Sequence, residues 1–163
     1  MLKKILFFLL IALVVIQFFH PKRNKAKGEQ PNYIGKIYTV SEDVKSILAK
    51  ACNDCHSNNT RYPWYCNFQP VDWWTGKHIR NGMQKLNLDE FINKSPRYQY
   101  NKLYEIKEQV KKGEMPLNSY LWIHKDAILT EAEKNNLYTW VDTIREIMKT
   151  KYPMDSLLRK KRS

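Results

Sequence analysis

The chain has 163 residues, enough for one small domain with a terminal appendage, and a formal charge of +12 from 28 basic and 16 acidic residues. The positive charge is spread along the sequence, and neither a basic-aromatic RNA motif nor zinc-finger spacing is present, so nucleic acid is excluded as the expected partner. Three cysteines, Cys52, Cys55 and Cys66, make a simple disulfide framework a poor reading.

Met1-Leu2-Lys3-Lys4 followed by an apolar run from Ile5 to Phe19, broken only by Gln17, reads as an uncleaved signal anchor over residues 1–20. The run is short against the roughly 20 apolar residues a bilayer needs, so Leu2, His20 and snorkelling Lys3 and Lys4 would complete it. Lys22, Arg23, Lys25 and Lys27 outnumber Lys3 and Lys4, which by the positive-inside rule points the domain inward. The Cys52 to His56 motif described below points the other way, and it decides the orientation. The expectation is a single-pass anchor in the inner membrane with the domain facing the periplasm. Residues 21–36 hold Pro21, Gly28, Pro31 and Gly35 among polar groups and read as a linker. The domain then spans 37–155, and 156–163 is a basic tail.

Ser41 is the expected cap of the first domain helix, with Glu42 and Asp43 at its positive end and Val44, Ile47, Leu48 and Ala51 at helical spacing. This helix runs into Cys52-Asn53-Asp54-Cys55-His56, the C-x-x-C-H signal of c-type haem attachment. Two thiols one helical turn apart can add across the two vinyl groups of a porphyrin, and the next residue then lies under the iron. Cys52 and Cys55 are the expected thioether anchors and His56 the axial ligand.

Pro63 interrupts the aromatic stretch Tyr62-Pro63-Trp64-Tyr65, and a helix is expected from Pro70 with Val71, Trp74 and His78 on one face, ending near Gly82. Tyr62, Trp64, Trp74 and His78 are candidate walls of a haem pocket, although aromatics there also serve as ordinary core. Asn87 to Glu90 reads as the cap of a short helix over Phe91 and Ile92. A further helix begins at Ser95-Pro96, packs through Leu103, Ile106 and Val110, and stops at Gly113.

Met115-Pro116 follows that stop. A methionine sulfur presented from a stiff loop is the expected sixth iron ligand, and His/Met ligation raises the reduction potential. His78 ranks second and His124 third. Thr130 to Glu133 is a capping box, and Leu137, Trp140, Val141, Ile144 and Met148 form one apolar stripe on the last helix. The fold expected is all-α: a cytochrome c-like helical domain around one covalently attached haem, preceded by the N-terminal anchor helix.

The run C-N-D-C-H-S-N-N-T-R-Y-P-W-Y, with Pro70, Trp73-Trp74, His78, Gly82, Gly113-Glu114-Met115-Pro116, Tyr120, His124, Leu129-Thr130, Glu133, Leu137 and Trp140, resembles the haem-binding domain family of small Bacteroidetes-type c-type cytochromes. The resemblance covers the domain after the linker and implies covalent haem. Cys66 departs from it, standing where a small non-thiol residue is expected.

Three functions compete at this point. The first is a non-enzymatic mono-haem electron carrier bound to one haem c and steered by its positive charge to an acidic redox protein or a respiratory complex. The second is a haem sensor or peroxidase-like enzyme with a displaceable sixth ligand, served by His78 or Arg80. The third is a zinc module without haem, holding the metal with Cys52, Cys55, Cys66 and His78.

Overall fold

In the computed structural model, which describes residues 1–158, the chain forms eight α-helices and three short 3-10 turns. Among the described residues there is no strand, only the isolated bridges Lys25–Asn59 and Asn32–Glu90. The expected basic tail falls largely outside the described residues; of it, Ser156 and Leu157 close the short helix Met154–Leu157.

The core is a three-helix packing of α2 (Glu42–Ala51), α5 (Pro96–Lys111) and α7 (Glu131–Lys151). Each begins where its cap dictates. Ser41 accepts from the Val44 amide at 3.3 Å, Ser95 accepts from the Tyr98 amide at 3.3 Å with Pro96 in the first turn, and Thr130 and Glu133 complete a reciprocal capping box. The apolar stripes then meet: Val44, Ile47 and Leu48 of α2, Leu103 and Val110 of α5, and Leu137, Trp140, Val141, Ile144 and Met148 of α7 are all buried. Glu133 at the head of α7 also accepts from Lys50 of α2 at 2.6 Å, joining the first and last core helices.

The attachment motif forms a single turn, α3 (Asn53–His56), and α4 (Val71–Lys85) lies directly across it. A Cβ on Gly82 would stand 2.5 Å from the Cys55 carbonyl oxygen, so only glycine lets the two backbones approach this closely. The helix expected over Phe91 and Ile92 does not form. The Asn87 side chain instead accepts from the Asp89 amide at 3.0 Å, a local turn that competes with helix, and fully buried Phe91 is held by irregular chain.

The N-terminal reading is corrected. Helix α1 (Leu2–Ile16) has 15 residues, about 22 Å of rise against roughly 30 Å of hydrocarbon. No helix among the described residues is long and apolar enough to cross a membrane, which overturns the single-pass inner-membrane anchor and the periplasm-facing placement built on it. The physical reason lies just after Ile16, where the helix stops at Gln17 and the chain binds the domain. Gln17 accepts from the Gln69 amide at 2.9 Å, and the Phe19 carbonyl accepts from Gln69 Nε2 and Trp73 Nε1, each at 2.7 Å.

The stretch read as a linker is a strap along the domain surface. His20 Nδ1 lies 2.7 Å from Asp72 Oδ2, and Arg23 lies 3.1 Å from Asp72 Oδ1, on a carboxylate with no solvent exposure. Further along, Asn24 donates from Nδ2 to the Ser57 carbonyl and to Thr60 Oγ1, both at 2.9 Å, and the Ala26 amide donates to the Asn58 carbonyl at 2.9 Å. The strap is therefore bonded to the loop that leaves the attachment motif.

Candidate functional site

Helix α2 ends at Ala51 and the chain turns into α3, so Cys52 and Cys55 are delivered from the end of a helix fixed in the core. Both are free thiols. Burial pushes the Cys52 thiol up to about 12, and burial pushes Cys55 up to about 11, with the Asp54 carboxylate adding to the second shift. Thiols held protonated at neutral pH exchange slowly with disulfides.

His56 Nδ1 lies 3.0 Å from the Leu86 carbonyl and 3.1 Å from the Gly82 carbonyl. Carbonyls only accept, so Nδ1 carries the proton and donates, leaving Nε2 with its lone pair. Burial is the main force lowering the His56 pKa, against the two backbone bonds that raise it, with Lys102 and Lys85 nearby lowering it further. The ring is thus neutral and orientation-locked, the state a metal-binding imidazole needs.

Three adjoining cavities surround this turn. The first, about 390 Å³, is walled by Leu48, Leu86, Leu88, Ile106 and Val110 and reaches Cys52, His56 and Met115. A second, about 210 Å³, shares Cys52, His56 and Met115 with the first and adds Cys55, His78 and Gly82. A third, about 190 Å³, meets the second at Cys55, His78 and Tyr120 and is walled by Trp74, Tyr65 and Ile123. Cys52, Cys55, His56 and Met115 therefore line one continuous, mainly apolar cleft.

Met115 reaches the cleft from a well-defined helix end. Gly113, at φ +69°, donates to the Val110 carbonyl at 3.1 Å, and the amides of Glu114 and Met115 both donate to the Gln109 carbonyl, at 2.9 and 3.2 Å. This left-handed glycine stop turns the chain back over the end of α5 and sets Met115 beside Val110.

The remaining candidates divide. His78 lines the second and third cavities and Trp74 the third alone, their rings 4.5 Å apart, and His78 donates from Nδ1 to the Trp74 carbonyl at 2.8 Å. Tyr62 and Trp64 line none of the three cavities. Tyr62 accepts from the Asn24 amide at 2.7 Å beneath the Arg23 guanidinium, and Trp64 is 75% exposed against Phe68 and Tyr65. His124 lines the third cavity, not the two that hold His56, and pairs with Tyr65 Oη at 2.6 Å. Burial, first of its causes, raises the Tyr65 hydroxyl to about 12.

Sequence reasoning missed Asp54. This buried carboxylate inside the motif accepts from the Arg61 amide and Nε at 3.0 and 3.1 Å, from Arg61 Nη2 at 3.2 Å, and from Tyr120 Oη at 2.7 Å. Burial, with the Asp54 bond next, raises the Tyr120 hydroxyl well above its ordinary range. No spacing rule links residue 54 to residue 120, so only the fold reveals the pair. The Cys₃His zinc reading is overturned: among the described residues no three His, Cys, Asp or Glu side chains gather to hold a metal ion. Cys66 is buried in its own 3-10 turn, Trp64–Asn67.

The donor set fits a haem: an imidazole with a free Nε2, two thiols at attachment spacing, a thioether on the same cleft, and apolar walls for a flat macrocycle. An all-helical domain organised in this way is of the haem-binding class. The chain belongs to the haem-binding domain family, which it matches over residues 11–143, a span that takes in the end of α1 and the whole strap. Neither the curated proteins nor the solved structures give a match.

Proposed function

We propose that this haem-binding protein is a mono-haem c-type cytochrome that carries single electrons. The observation that supports this reading best is the His56 ring, locked by the Gly82 and Leu86 carbonyls with Nε2 free, in a cleft that also contains Cys52, Cys55 and Met115. Bound haem supplies reversible one-electron exchange at its iron. In this reading the chain does the rest. Cys52 and Cys55 form thioethers that prevent loss of the group. His56 and Met115 would hold the iron, a pair that raises the potential. Leu48, Leu86, Leu88 and Val110 keep water away from it. The net charge of +12 steers the molecule to an acidic redox partner.

The test is an absorption spectrum of the full chain produced alongside haem-attachment machinery, recorded oxidised, reduced and with carbon monoxide. The expected result is a low-spin spectrum with the near-red sulfur-to-iron band, no response to carbon monoxide, and haem colour that survives denaturing electrophoresis. Cys52→Ala with Cys55→Ala should abolish the covalent colour. Covalent haem surviving that double change would refute the attachment site, and ready carbon monoxide binding by the parent would refute the electron carrier in favour of a sensor or enzyme.

A further inference from the structure

The segment that carries Met115 is fastened at both ends. Upstream, the amides of Glu114 and Met115 are spent on the Gln109 carbonyl. Downstream, the short helix α6 (Asn118–Leu121) returns Tyr120 to the attachment motif, where its hydroxyl donates to Asp54 Oδ2 at 2.7 Å and lies 3.3 Å from the Lys50 carbonyl. Asp54 stands between the two motif cysteines and is 7% exposed, with its other acceptor sites taken by Arg61. A single charge-assisted hydrogen bond thus ties the chain bearing the methionine to the turn bearing the histidine.

We propose that Tyr120 is a positioning residue, acting through Asp54 to hold Met115 in place as the second axial ligand; this rests on the reading of Met115 as that ligand. The ring of Tyr120 is held independently of its hydroxyl, stacked on His124 at 4.1 Å and 13°, and His124 is in turn fixed by Tyr65. Tyr120→Phe therefore removes the fastening and leaves the packing. Losing one hydrogen bond to a charged acceptor shifts the balance between a seated and a released Met115 segment by roughly tenfold. A competing ligand that needs the released form gains affinity by the same factor.

The experiment titrates the haem-loaded full chain with imidazole and follows loss of the sulfur-to-iron band, in the parent, Tyr120→Phe, Asp54→Asn and the double variant. Imidazole should bind roughly tenfold more tightly to Tyr120→Phe. Asp54→Asn, which removes the charge from the acceptor, should act in the same direction, and the two changes should be less than additive because they break one bond. Unchanged imidazole affinity in Tyr120→Phe, or full additivity, overturns the proposal. Met115→Ala is run beside them. If it keeps the sulfur band, the ligand reading has failed; if it loses the band while Tyr120→Phe behaves as the parent, only the positioning role has failed. Thermal unfolding of the haem-free proteins gives the readout that a purely structural role would move.

Discussion

Gly82→Ala puts the close approach of α4 to the attachment turn to a quantitative test. The new Cβ would lie 2.5 Å from the Cys55 carbonyl oxygen and 3.0 Å from Cys55 Cβ. Ordinary contact begins at about 3.5 Å, so α3 and α4 must separate by about 1 Å. Neither neighbour is the end of a flexible side chain, so the separation must come from backbone movement. Overpacking of this kind costs about 1–3 kcal/mol. Two terms oppose each other, since alanine is worth about 1 kcal/mol over glycine within a helix. Because the clash is with backbone, the upper part of the range applies and the net loss should be about 1–2 kcal/mol. The movement also draws the Gly82 carbonyl away from His56 Nδ1, now at 3.1 Å, so haem loading should fall with stability. Urea unfolding of the haem-free protein followed by tryptophan fluorescence measures the first effect, and covalent haem per protein measures the second. A variant about 1 kcal/mol more stable than the parent, as helix propensity alone requires, with normal loading, would refute the backbone contact between α4 and the attachment turn.

Other perturbations isolate other parts of the structure. Gly113→Ala meets no neighbouring atom but must hold φ at +69°, so a loss of about 1–2 kcal/mol and a looser Met115 segment are expected, read by unfolding midpoint and imidazole affinity. Asp72→Ala removes the buried anchor of His20 and Arg23 and should cost about 1–3 kcal/mol; limited trypsin digestion should then cut the strap at Lys22, Arg23, Lys25 or Lys27 before the domain, and uniform resistance would contradict the latch. Hydrogen bonding from Lys50, then from the Thr130 amide, holds the Glu133 carboxyl below its ordinary range. Its stabilising contribution is complete above its unfolded value of about 4.3 and is lost as pH falls through the lower native value, so Glu133→Gln should flatten the stability curve in that acid window and nowhere else.

What the sequence made legible was local. Ser41, Ser95-Pro96 and Thr130-Glu133 announce helix starts because a cap acts within three residues. The stripe from Leu137 to Met148 announces a buried face because its period is that of the helix. Gly113 announces a stop because only a left-handed residue turns the chain there. The turn over Asn53–His56 is legible for the same reason, since its residues are consecutive. The strap was illegible for the converse reason. Pro21, Gly28 and Pro31 keep residues 21–33 out of helix and strand, and the first part of the segment is held by groups far away in sequence. The Asn24 and Arg23 side chains and the Ala26 amide find their partners at Ser57, Asn58, Thr60 and Asp72, some three to five tens of residues away. Composition therefore described the segment's local conformation and said nothing of its attachment.

The same distinction separates the two halves of the site. His56 and its cysteines are placed by one turn, with the ring fixed by the nearby Gly82 and Leu86 carbonyls. Met115 is more than fifty residues away, and its relation to His56 depends on bonds that cross the fold: the Gln109 carbonyl on one side and the Asp54–Tyr120 pair on the other. Damage to the domain should therefore act unequally. On the proposed reading of thioether attachment and Met115 ligation, variants that loosen α5 or α6 should retain haem while losing the sulfur-to-iron band, whereas variants at Gly82 or Leu86, where backbone carbonyls fix the His56 ring, should lose both together.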